Sequence, residues 1–124
     1  MIYFDVIIFK NENDFIFNKI ALLDTGASDT YVSEYLANNM NLEIIGSSNV
    51  VTGNKSISCD KAIANIKFKN HNKFIKTEVL IMEDRFKINN TQYVDIFIGK
   101  NIYKLSEFIY DQGNYFSFEI PKFK

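Results

Sequence analysis

Asp24, Thr25 and Gly26, in the stretch LLDTGAS, are the residues whose types and spacing best suit chemistry. An apolar run over residues 20–23 ends in a carboxylate. An acid placed at the end of a buried strand must be neutralised or held by donors. Gly26 permits positive φ and close approach by another chain segment, while the β-branched Thr25 stiffens the turn and offers a hydroxyl that donates and accepts. A lone aspartate, whose reference pKa lies near ~4, is a weak acid–base catalyst at neutral pH. Two carboxylates a few ångström apart behave differently, because they share a proton. One can then take a proton from water while the other donates to a substrate carbonyl. Asp5, Asp29, Asp60, Asp84, Asp95 and Asp111 are also present, but none lies in a second Thr-Gly loop. An equivalent second acid must come from a second copy of the chain across a two-fold axis.

The elements around this loop read as strands. Short segments rich in Ile, Val, Phe and Tyr alternate with clusters of Asn, Asp, Lys and Gly. The pattern predicts strands over 2–10, 15–24, 30–32, 48–51, 56–68, 74–82 and 94–98. A closing hairpin joins 107–110 to 115–120 across DQGN, with Gly113 and Asn114 as turn residues. Two short helices are expected: EYLANNM, with Ser33 as N-cap and Glu34 in the first turn, and KNIYKLSEF after Gly99. Neither is long enough to organise a helical core, so the expectation is an all-β protein.

Size and charge narrow the field. A chain of 124 residues, 47% hydrophobic and 23% charged, fits one globular domain, 1–124, and is too short for two lobes. A net charge of −1 and a pI near 5.8 give no electrostatic reason to expect nucleic acid or an anionic membrane as partner. No apolar segment is long enough for a membrane-spanning helix, and the N-terminal run lacks a signal peptide's basic region and cleavage site. The expected location is the cytoplasm. One cysteine and one histidine give poor support for a metal site, and no cofactor is expected.

LLDTGAS resembles the active-site signature of the retropepsin-like aspartic proteases. The context extends the likeness over nearly the whole chain. YFDVIIFKNENDFIFNKIALLDTGAS is similar to the family's paired strands feeding the catalytic loop, and SDTYVSEYLANNMNL to the strand and short helix that follow. YVDIFIGKNIYK resembles the second signature, in which an apolar strand ends in Ile/Leu-Gly before a helix behind the loop. FIYDQGNYFSFEI is similar to the family's closing hairpin.

The resemblance implies a small retropepsin-like acid-protease barrel, homodimeric, acting as an aspartic endopeptidase on a polypeptide substrate. Asp24 would be the catalytic acid. Thr25 would cross-link the two loops at the dimer axis, and Gly26 would offer its carbonyl to the substrate main chain. Ala27, Ser28 and Asp29 would border the substrate, as would Val51, Thr52 and Gly53 at the tip of a flap formed by SNVVTGNKS. Ile98 and Gly99 would support the catalytic loop. Ala27 stands where pepsin-like enzymes often have Ser, which implies a less acidic working pH. Viral members often carry an Asp–Arg ion pair at the positions of Ser28 and Lys100, so here the loop needs other support.

Two other readings of the same residues stay open. One is a catalytically inactive dimerisation or peptide-binding module on this fold, and the other is a monomeric β-domain in which Asp24 is structural. Elsewhere the expectations are structural. Asp95 reads as a strand-edge residue, His71 as a surface turn residue and Cys59 as a small packed hydrophobe. Lys67 and Lys69 read as the wet face of a strand, near Lys73 and Lys76. Phe108, Tyr110, Tyr115, Phe116 and Phe118 read as core and interface packing.

Overall fold

The computed structural model describes residues 2–69, 72, 74–103, 107–111 and 115–119. Strands dominate it, as the β-branched and aromatic segments require. In chain order they are β1 (Tyr3–Phe9), β2 (Phe17–Leu23), β3 (Tyr31–Ser33), β4 (Gly46–Thr52), β5 (Lys55–Phe68), β6 (Ile75–Met82), β7 (Phe86–Lys87), β8 (Tyr93–Val94), β9 (Ile96–Ile98), β10 (Glu107–Asp111) and β11 (Tyr115–Glu119). Two short helices, α1 (Glu34–Asn39) and α2 (Lys100–Tyr103), interrupt them. No helix among the described residues is long and apolar enough to cross a membrane.

The main sheet runs β1-β2-β9-β3-β6-β5, and a further β1–β5 pairing closes it into a barrel, with β4 added at the outer side of β5. Most neighbours are antiparallel, but β2–β9 and β3–β6 are parallel. β9 therefore lies between β2 and β3, and the segment leading from β2 to β3 has to pass over the end of β9. That crossing is where LLDTGAS sits. Closure leaves β4 as the exposed edge of the sheet, and it pairs along its whole length with the first half of β5.

Alternation decides which side chains fill the barrel. Val6 and Ile8 on β1, and Ala62, Ala64, Ile66 and Phe68 on β5, point inward and are buried. Val32, Val79, Ile96 and Ile98 join them, and Leu36, Ala37 and Met40 of α1 with Ile102 of α2 complete the core. Phe68 meets Phe4 edge-on at 5.6 Å between centroids. Lys67 and Lys69 lie outside this core, half-buried and exposed, while Ile66 and Phe68 between and beside them are buried.

Ser33 caps α1, its Oγ accepting the Leu36 N–H at 3.1 Å, and Glu34 occupies the first turn. The second helix is shorter than its sequence suggests. Its described residues are Lys100–Tyr103, and Glu107 and Phe108 instead pair with Glu119 and Phe118 in the β10–β11 hairpin. The expected strand 94–98 is interrupted at Asp95, whose carboxylate is buried. The turn residues His71, Lys73, Gly113 and Asn114 lie outside the described residues.

Candidate active site

The loop after β2 is held by backbone bonds to β9 and α2. Asp24 N–H donates to the Ile98 carbonyl at 2.9 Å, which extends the β2–β9 ladder by one step, and Ala27 N–H closes a turn on the Asp24 carbonyl at 3.2 Å. On the other side, Lys100 N–H donates to the Ala27 carbonyl at 2.8 Å and Asn101 N–H to the Ser28 carbonyl at 3.1 Å. These bonds supply the support that an Asp–Arg pair at Ser28 and Lys100 would otherwise give. Gly26 N–H donates to Asp24 Oδ1 at 3.1 Å and so fixes the direction of the carboxyl group.

The close approach anticipated at Gly26 occurs at Gly99 instead. A Cβ built on Gly99 would overlap the Asp29 carbonyl and crowd the Ala27 oxygen, whereas one on Gly26 would sit 3.6 Å from Asp24 Oδ1, an ordinary contact. Gly26 does not adopt positive φ; among the described glycines Gly53 alone does. Buried Thr30 ties the far end of the loop. It receives the Gly99 N–H at 3.1 Å and donates to Asn101 Oδ1 at 2.8 Å, and Asn101 Nδ2 reaches Thr77 Oγ1 at 3.3 Å.

Asp24 is half-buried and lines two adjoining cavities of about 630 and 580 Å³. Both are also lined by Tyr31 and Val50. Ala27, Ser28, Asp29 and Val51 line the smaller with Asp24 and Gly26. Ile57, Cys59, Met82, Glu83 and Phe97 line the larger. The β4–β5 hairpin forms one wall of both. Its two-residue turn places Gly53 at φ 61°, where a type II′ hairpin requires glycine, and Thr52 pairs with Lys55 at the foot of that turn. Val51, 75% exposed, projects near the tip. Thr25 and Gly26 are exposed.

Several lining residues escaped the sequence reading. Tyr31 follows from alternation, because Val32 is buried in the core and its neighbour must face the other way. Burial raises the Tyr31 phenol above its ordinary value, and the nearby Asp29, Cys59 and Asp24 add to this. Cys59 is half-buried in the cavity wall rather than packed in the core. Burial, then Asp60 and Glu83, push its thiol upward, which keeps it protonated.

Asp95 departs most from expectation. It does lie at the strand edge, between β8 and β9, but it is only 1% exposed. Its Oδ1 accepts Ser33 Oγ–H at 2.7 Å and Arg85 Nε–H at 2.8 Å, and its Oδ2 accepts Arg85 Nη2 at 3.0 Å. Lys19 lies 3.6 Å away. Burial alone would raise this carboxyl, but the bonds from Arg85 and Ser33, with the charges of Arg85 and Lys19, outweigh it and hold it below the ordinary aspartate value. Among the described residues no three His, Cys, Asp or Glu side chains converge as a metal site.

No family model matches the sequence, and no curated protein matches it significantly. Solved structures do. The retroviral protease-like domain of Ddi1 from Leishmania major superposes with a TM-score of 0.60 at 15% identity, covering 99% of this chain and 91% of that one. At that identity the likeness speaks for architecture. The chain is a small all-β domain with a retropepsin-like fold.

Proposed function

We propose that the protein is a homodimeric aspartic endopeptidase acting on polypeptides in the cytoplasm. The observation that carries this reading is the placement of Asp24, with its carboxyl aimed by Gly26 N–H, on cavities walled by a glycine-tipped hairpin in a retropepsin-like fold. Thr25 and Gly26 are exposed, so this part of the loop surface is accessible to its copy across a two-fold axis. Two Asp24 carboxyl groups brought together there share one proton.

The chemistry follows from that shared proton. The ionised Asp24 takes a proton from a water held between the pair, and the water oxygen forms a bond to the peptide carbonyl carbon. The protonated Asp24 gives its proton to the carbonyl oxygen, so that a neutral tetrahedral diol results. Return of a proton to the amide nitrogen breaks the C–N bond and releases amine and carboxylic acid. An extended peptide would lie along the loop backbone at Gly26, Ala27, Ser28 and Asp29, under Val51, Thr52 and Gly53, and pair its main chain as an added strand.

The test is cleavage of denatured protein and of a peptide library, comparing wild type with Asp24→Asn, alongside sedimentation at micromolar concentration. Wild type should sediment as a dimer and cleave, and the variant should dimerise without cleaving. Dimer with no Asp24-dependent hydrolysis from mildly acidic to neutral pH would leave a binding module on the same fold. A monomer would leave Asp24 structural.

A further inference from the structure

One buried carboxylate draws three chain segments onto its own. Asp95 binds Ser33 at the start of α1, Arg85 in the segment after β6, and Lys19 on β2. The Arg85 guanidinium is stacked between two rings, 3.8 Å from the centroid of Tyr35 and 4.1 Å from that of Tyr93. Its fork-shaped contact with both Asp95 oxygens fixes the plane as well as the position of the group.

The residues beside this cluster form the cavity wall. On the β3–β9 pair, Tyr31 is opposite Phe97, and the next step along brings Ser33 N–H to the Asp95 carbonyl at 2.8 Å. Tyr31 and Phe97 both line the Asp24 cavity. Met82 and Glu83, just before Arg85, line it too. Phe86, just after Arg85, packs edge-on against Phe97 at 6.1 Å.

Little else holds that segment down. From Glu83 to Gln92 only Arg85 and Ile88 are as much as half-buried, and the β7–β8 hairpin is two residues long on each side. Hydrophobic burial of this order does not fix a ten-residue excursion in one place. A buried ion pair gives little net stability over an apolar substitute, but it does impose a defined geometry.

We propose that Asp95 and Arg85 are positioning residues for substrate selection. Their ion pair holds the segment that leaves β6 at Glu83 against β3 and β9, and thereby sets the width of the pocket that receives a peptide side chain beside Asp24, next to Met82 at the end of β6. This rests on the endopeptidase reading. Neither residue touches the peptide. Both act through Met82, Glu83 and Phe97.

The double variant Asp95→Asn plus Arg85→Met tests this, because replacing both partners removes the clamp without stranding a buried charge. Arg85→Lys, which keeps the charge but loses the fork, is the conservative companion. The first readout needs no activity. With 13C-methyl methionine in the full chain, the Met82 signal should shift and broaden in the double variant, while Met40 in the core stays in place. The second uses two peptides taken from wild-type cleavage sites and differing in one side chain next to the scissile bond. kcat/KM should fall by about tenfold through KM, the ratio between the two peptides should change, and Arg85→Lys should recover part of both. An unmoved Met82 methyl overturns the proposal. So does a variant whose KM and peptide ratio match wild type, or whose loss lies in kcat alone. If wild type shows no Asp24-dependent cleavage, the protease reading fails separately, and the Met82 methyl still decides whether the clamp sets the wall.

Discussion

Replacing Gly99 by alanine adds one methyl group where the loop crosses β9. The atoms it would meet are the carbonyl of Asp29 and the oxygen of Ala27, both backbone, so no side chain can swing aside. The loop must retreat by roughly 1 Å or more before a methyl group fits at the ~3.5 Å of ordinary contact. Overpacking of this kind costs about 1–3 kcal/mol. The retreat also stretches the bonds from Lys100 N–H to Ala27 and Asn101 N–H to Ser28, and from Gly99 N–H to Thr30, at about 1 kcal/mol each where they are lost. A total loss of about 2–4 kcal/mol follows. Urea unfolding measures the total, and amide hydrogen exchange localises it. Protection should fall first at Lys100 and Asn101, while amides of the β5–β6 pairing keep theirs. A Gly99→Ala protein with wild-type stability and full protection at Lys100 and Asn101 would refute the account of how the loop is held.

Gly26→Ala should behave in the opposite way. Its Cβ fits at 3.6 Å from Asp24 Oδ1 and its φ is not positive, so unfolding free energy should change by less than about 1 kcal/mol, yet hydrolysis and dimerisation should be lost if the loops meet at the axis. Urea unfolding and sedimentation of the same sample separate the two effects, and an active Gly26→Ala dimer would count against the facing-loop arrangement. Asp95 should make the fold acid-sensitive. Its carboxyl is held below the unfolded value, so its contribution is complete above about pH 5 and is lost as pH falls through the unfolded aspartate value near ~3.9 towards the folded one. Urea unfolding from about pH 7 to pH 2 should therefore show Asp95→Asn destabilised by about 3 kcal/mol at neutral pH, with the gap to wild type narrowing in acid. A constant gap would contradict the paired carboxylate.

Local signals carried much of this architecture. β-Branched and aromatic runs marked the strands because each needs one buried face, and Ser33 marked the start of α1 because its hydroxyl can satisfy a free N–H. The family resemblance, rather than a local signal, marked SNVVTGNKS as the flap, where the hairpin that walls the cavity turns at Gly53. The losses share one cause. Asp95 lies in an apolar run and its partner Arg85 in a polar loop, and nothing in either stretch reveals that they meet. Glycine was assigned to the wrong crossing for the same reason. Gly26 sits in the turn, but the backbone it was expected to accommodate arrives at Gly99, from the other end of the chain. Tyr31 and Cys59 were within reach, since alternation from buried Val32 and the register of β5 against β4 place them on the cavity side. The second helix was overextended because Glu107 and Phe108 take their pairing from β11, a tertiary choice that overrides local helix preference.

Mixing subunits tests the shared active site most directly. Wild type and Asp24→Asn protein are combined at constant total concentration, allowed to exchange, and assayed on one cleavable peptide. If each dimer needs an intact Asp24 from both copies, activity follows the square of the wild-type fraction, and about a quarter remains in an equal mixture. Activity in simple proportion to the wild-type fraction or above it, half or more in an equal mixture, would mean that mixed dimers with one Asp24 work, and would contradict the account.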